Sequence, residues 1–107
     1  MRRKPIVTLP SQIATGVRVM RLYVAARAPN SVEAIANLEV ICQQYLQGNY
    51  QLEIVDVLKQ PLRALADGVI VTPSLIKLSP PPVVQVVGNL NDKNQVLLAL
   101  GLTGKTE

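Results

Sequence analysis

Cys42 is the single cysteine of this 107-residue chain, and there is no histidine. A reactive thiol needs a lowered pKa, from a neighbouring base, a cation or a helix N-terminus. With no imidazole the usual general base is missing, and so are the Ser–His and Cys–His pairs and most transition-metal sites. Cys42 lies midway along a run with helical spacing, on its apolar side, where a free cysteine behaves as a small hydrophobe. Among the carboxylates, Glu33 follows Asn30 at the spacing of a helix-capping pair. Glu53 and Asp56 fall on opposite faces of one strand and form no acid–base pair. Gly88 has no phosphate-loop context. We expect no catalytic residue, no metal and no cofactor, so binding becomes the expected role.

Composition narrows the class of partner. Three of the eleven basic residues, Arg2, Arg3 and Lys4, stand at the N-terminus, leaving eight against seven acidic residues. Three tyrosines are the only aromatics. Nucleic-acid binding wants a basic face with interleaved aromatics, and neither is present. Pro5, Pro10, Ser11 and Gln12 interrupt any signal-peptide core, and no stretch has the length of a membrane span. The expectation is a soluble, cytoplasmic protein that binds neither nucleic acid nor membrane. Its flexible N-terminal extension covers residues 1–16, one domain covers 17–102, and a flexible tail covers 103–107.

The elements that position any site follow from periodicity. "VRVMRLYVA" (Val17 to Ala25) is apolar on both faces toward its end, as in a central strand. "PNSVEAIANLEVICQQYLQG" places Val32, Ile35, Leu38, Ile41, Cys42 and Tyr45 at helical spacing. Asn30 is its expected cap, Glu33 completes a capping box, and Gly48 is the stop. "YQLEIVDVL" is a second strand, parallel to the first because the helical crossover requires it. "KQPLRALADG" is a short helix with Pro61 in its first turn and Gly68 at its end. Thr72-Pro73 precedes a third strand, since proline cannot sit inside the ladder. "VVQVVG" is a fourth strand, and "NDKNQVLLALGL" is a closing helix capped by Asn91 or Asp92.

The order is βαβαββα in a single small α/β domain, a thioredoxin-like order. Thr72-Pro73 sits where that fold commonly places a cis-proline, and a cis peptide bond is expected there. The loop "AARAPNS", where such proteins present reactive cysteines, contains none. A thioredoxin-like thiol- or glutathione-dependent redox protein is therefore the alternative reading. Two surfaces are open to a partner: a sheet edge, shielded by charges such as Glu53, and the end of the fold carrying Ala28 to Ser31, Lys59 to Arg63 and Thr72 to Ser74.

The segments "PNSVEAI", "YQLEIVDVLKQP", "VTPSLIKLSPPP" and "VVGNLNDKNQVLLAL" resemble the KaiB family of cyanobacterial circadian clock proteins, from about Leu22 to Leu100. The resemblance implies a non-enzymatic regulatory binding protein that docks on a KaiC-type ATPase ring and competes with the sensor domain of a kinase. It also implies fold switching between a thioredoxin-like monomer and a tetrameric ground-state fold. On this resemblance and their shared placement, Ala28, Pro29, Asn30, Lys59, Gln60, Pro61 and Arg63, with Glu53, are the expected partner-binding residues. Thr72, Pro73, Gly88, Ala99 and Gly101 are the expected fold-switch or structural positions.

The chain also departs from the family. Ala26, Arg27 and Ala28 stand where a glycine-containing loop is usual. Glu53 replaces a common basic residue. Val84 and Gln85 replace basic residues after the proline run. These changes argue against a KaiA-like partner and mark a divergent paralogue. Ala99 replaces a common glycine, and helix propensity there favours the closing helix, hence a thioredoxin-like monomer over a tetramer.

Overall fold

The computed structural model describes residues 17–102, and the expected N-terminal extension and C-terminal tail lie outside the described residues. Strand β1 (Arg18–Val24) is followed by helix α1 (Pro29–Ile41), β2 (Tyr50–Asp56), α2 (Pro61–Ala66), β3 (Ser74–Ser79), β4 (Val84–Val87) and α3 (Lys93–Ala99). The strands form one sheet in the order β2-β1-β3-β4. β1 pairs parallel with β2, Arg18 opposite Tyr50 and Val24 opposite Asp56. It pairs antiparallel with β3, which pairs antiparallel with β4. β1 is therefore central, as its two apolar faces require.

Alternation along β1 divides the core. Met20, Leu22 and Val24 join Ala34, Leu38, Ile41, Cys42, Leu46, Leu75, Val86, Val96, Leu97 and Leu100 beneath α1 and α3. Tyr23, with Val55 and Ile76, meets Ala64 of α2 on the opposite face. Leu22 and Leu38 are completely buried, each contributing about 1.5–3 kcal/mol by removal from water.

Helix α1 begins differently from the sequence expectation. Ala28 is the N-cap, Pro29 occupies the first turn, and no side chain caps the end. Proline at that position lacks only an N–H that would have no partner in the helix. Asn30 is thus already inside the helix, and Glu33 takes no part in a capping box. Glu33 instead accepts a bond from Asn89 Nδ2 at 2.8 Å. The buried stripe is also rotated: Ser31, Ala34, Leu38 and Ile41 face the sheet, whereas Val32 and Tyr45 are exposed. A π turn over Cys42–Leu46 follows, closed at Gln47, whose φ of 45° is left-handed, and then at Gly48.

At the other end of the chain, Asp92 caps α3 by accepting from the Gln95 N–H. Ala99 is the last residue of this seven-residue helix, not an interior one, so its advantage over glycine is smaller than an interior position gives. Gly101 has a φ of 76° and ends the helix. Arg18 seals that end, its Nε donating to the Leu100 carbonyl at 3.1 Å, a favourable place for a cation. The Thr72–Pro73 peptide bond is cis, and β3 starts at Ser74.

Candidate functional site

The ends of β1 and β2 and the beginning of β3 lie at one end of the sheet, because β1 and β2 run parallel and β3 runs back. That arrangement gathers residues 25–30, 57–61 and 72–73. Asp56 ties the first two segments together. Its Oδ1 accepts from the Leu58 N–H at 2.9 Å and the Ala26 N–H at 3.3 Å. Ser31 is buried and its hydroxyl accepts from the Ala25 N–H at 3.0 Å. Ala26 itself has a φ of 47°, a left-handed conformation costly for a residue with a Cβ.

Ala28, Pro29, Asn30, Lys59, Gln60 and Pro61 are all exposed at this end. Thr72 is half-buried and Pro73 buried, so they support the end from behind. Gly88 joins them by donating its N–H to the Pro73 carbonyl at 2.9 Å. Ala99 and Gly101 belong to the closing helix and its turn.

Arg63 and Glu53 bind each other, and Arg63 also donates to Gln60 Oε1 at 3.4 Å. Arg63 donates from both terminal nitrogens to the Glu53 carboxylate, at 2.6 and 2.7 Å. Glu53 also accepts from Arg21 Nε at 3.2 Å. Arg21 reaches on to Asp67 at 2.7 Å, and the buried Tyr23 hydroxyl donates to the same Asp67 oxygen. The five residues pin α2 across β1 and β2. Glu53 therefore lies over the sheet face instead of shielding the edge by standing free. The Arg63 hydrogen bonds hold its carboxyl down at about 2. Asp67 is also lowered, first by Tyr23 and then by Arg21. Burial, then the Asp67 bond, pushes the Tyr23 hydroxyl up.

The sequence reading singled out neither Tyr23 nor Asp67 for this network. Nor did it single out the apolar residues on and beside α2: Leu62 and Leu65 of the helix, Leu58 before it and Ile70 and Val71 after it are exposed. A usable signal was present, since a short helix that buries Ala64 turns Leu62 and Leu65 away from the sheet. Lys77 is a further surprise, buried in β3 with its ammonium pKa lowered by burial and then by Arg18.

Chemistry is poorly served. Cys42 is completely buried in the core, not in the loop before α1, and burial pushes its thiol up to about 11. Among the described residues no three His, Cys, Asp or Glu side chains converge on a metal-sized site. No described helix is long and apolar enough to cross a membrane. What the geometry offers is an end with exposed backbone turns, two exposed cations, Arg27 and Lys59, and leucines close by in the chain.

The family model of the KaiB domain matches residues 21–102. The chain belongs to the KaiB family. It is 46% identical to the circadian clock oscillator protein KaiB of Gloeothece citriformis over 84 residues, 78% of this chain and 79% of that protein. The protein of the same name from Prochlorococcus marinus is 41% identical over 90 residues, 84% of each chain. Among solved structures, the N-terminal domain of Synechococcus elongatus SasA superposes with a TM-score of 0.68 at 22% identity, covering 92% of this chain and 96% of that one. Mitochondrial thioredoxin 3 from Saccharomyces cerevisiae gives 0.66 at 13% identity, covering 86% and 84%. These likenesses establish the thioredoxin-like fold of this KaiB-family chain.

Proposed function

We propose that this chain is a non-enzymatic clock regulatory protein that docks on a KaiC-type ATPase ring through Ala28, Pro29, Asn30, Lys59, Gln60 and Pro61. The observation that carries the reading is the gathering of these exposed residues at one end of a KaiB-family domain. The exposed Leu58, Leu62 and Leu65 beside Lys59 add apolar surface rimmed by charge, the composition of an interaction patch. Arg63 and Glu53 hold α2 in place for this contact, so Lys59 and Arg27 are the cations left for the partner. Thr72, Pro73 and Gly88 support the surface from inside.

The thioredoxin-like fold shared with the SasA sensor domain makes competition with such a kinase for the ring part of the proposal. A cytoplasmic site of action follows from a soluble ATPase partner. A KaiA-like protein is not included, because Glu53, Val84 and Gln85 stand where basic residues are usual. Fold switching to a tetrameric state is included as a minor population, with Gly88, Ala99 and Gly101 at the joints of the segment that would repack. The burial of Cys42 disfavours the redox alternative.

The test is association with a KaiC-type ring followed in real time. Lys59→Glu should slow association several-fold with little change in stability, because rim charges act on encounter. Leu62→Ala should speed dissociation. Unchanged kinetics for both variants would remove this surface from the proposal.

A further inference from the structure

Among the described residues β4 is an edge strand of the sheet, and it carries no charge. Between Lys77 and Asp92 the chain has no ionisable residue, whereas the other edge, β2, contains Glu53 and Asp56. Natural edge strands are usually protected by charge, proline or a bulge, since their open N–H and C=O groups template further pairing. Residues 83–87 of this edge read Val-Val-Gln-Val-Val, identical in both directions. A palindrome pairs with itself in antiparallel register, like facing like.

The backbone orientation agrees with that register. Gly88 donates to the Pro73 carbonyl, directed at β3. Antiparallel alternation then points the backbone groups of Val86 and Val84 at β3, and those of Gln85 and Val87 at the open edge. The side chains alternate too. Val86 enters the core beneath α1 and α3, while Val83, Gln85 and Val87 are exposed. The opposite core, beneath α2, draws on β1, β2 and β3 but on no residue of β4.

We propose that two copies of this chain pair antiparallel through β4 about a two-fold axis at Gln85, joining their sheets into one. Gln85 faces Gln85, and each exchanges an N–H···O=C bond with the other. Val83 of one copy faces Val87 of the other. The exposed valines then cover each other across the seam on the face that α2 leaves open, with the two glutamine amides between them. The occupant is a second copy because the register centred on Gln85 is self-complementary and the edge has no charge to select a foreign strand. The pairing is isologous and closes at two, since it uses both copies' β4 edges. Four-residue strands bury little area, so the dimer is weak and forms with rising concentration, and the monomer prevails when dilute. This pairing is independent of ring docking.

Sedimentation equilibrium of the full chain from micromolar to millimolar concentration tests it. The average mass should climb from monomer toward dimer, with dimer preceding any larger species. Gln85→Lys and Gln85→Glu should each remain monomeric at concentrations where the parent dimerises, because each places like charges together on the axis. Mixed in equal amounts, the two variants should recover a dimer. A parent chain that stays monomeric at millimolar concentration, a larger species formed without a dimer preceding it, or variants that dimerise as well alone as mixed would each overturn the proposal. Gln85 is exposed, and unchanged amide spectra elsewhere in each variant separate lost association from lost fold.

Discussion

Arg63 grips Glu53 with both terminal nitrogens, at 2.6 and 2.7 Å. The pair links α2 to an outer strand of the sheet, and Arg21 shares its carboxylate. Glu53 is lowered from the ordinary 4.5 to about 2, chiefly by the Arg63 hydrogen bonds. A depressed carboxylate contributes its stabilisation above the unfolded value and loses it as pH falls through the folded one. The attachment of α2 should therefore weaken between about pH 4.5 and 2. Amide exchange of residues 61–66 should accelerate over that window, and Glu53→Gln should remove much of the pH dependence. Solvent screening keeps the effect on global stability small.

Tyr23 presents the opposite case, a buried hydroxyl with a charged acceptor. Tyr23→Phe keeps the ring packed against Val55 and Ile76 but leaves Asp67 with Arg21 alone. The loss should be about 1.5–3 kcal/mol, the range for a hydrogen bond to a charged group. Urea denaturation measures it, and a change near zero would mean that Arg21 suffices to hold Asp67.

Ala26 has a left-handed φ of 47°, at a turn where it donates to Asp56. An alanine there costs about 1–2 kcal/mol of backbone energy that glycine avoids. The greater freedom of glycine in the unfolded chain offsets part of the gain. Ala26→Gly should raise stability by up to about 1 kcal/mol, read from the denaturation midpoint. Destabilisation would mean that the methyl group makes contacts worth more than the strain.

Cys42 should resist thiol reagents in the native state. Its thiol is raised from 9.0 to about 11 by burial. A group with a raised folded pKa contributes fully below the unfolded value, and the contribution is lost as pH rises toward the folded one. Stability should thus fall between about pH 9 and 11, less steeply in Cys42→Ala. Labelling at pH 8 should follow the rate of opening of the core, and rapid labelling or disulfide reductase activity would contradict the buried assignment.

Much of this architecture was readable from local pattern. The apolar faces of Val17 to Ala25 implied a central strand, and the length of the crossover implied its parallel partner. Asp92 stood at a capping position and caps. Asn30 and Glu33 also stood at capping positions and do not cap, because Pro29 starts the helix earlier and Asn89 claims Glu33 from a distant loop. The network around Glu53 was hidden for a related reason. Arg21 and Tyr23 are neighbours on β1, but Asp67 lies 46 and 44 residues from them, and only the stacking of α2 on β1 and β2 brings it to them. Local signals specify elements, whereas long-range polar partners depend on how those elements pack.

Ring docking is measured by co-elution of the full chain with a KaiC-type ATPase ring, with the Gloeothece citriformis KaiB run beside it. We expect a complex in which amide signals of residues 28–30 and 59–61 shift or broaden and which Lys59→Glu weakens. A chain that remains free while the relative is retained on the same ring would contradict it.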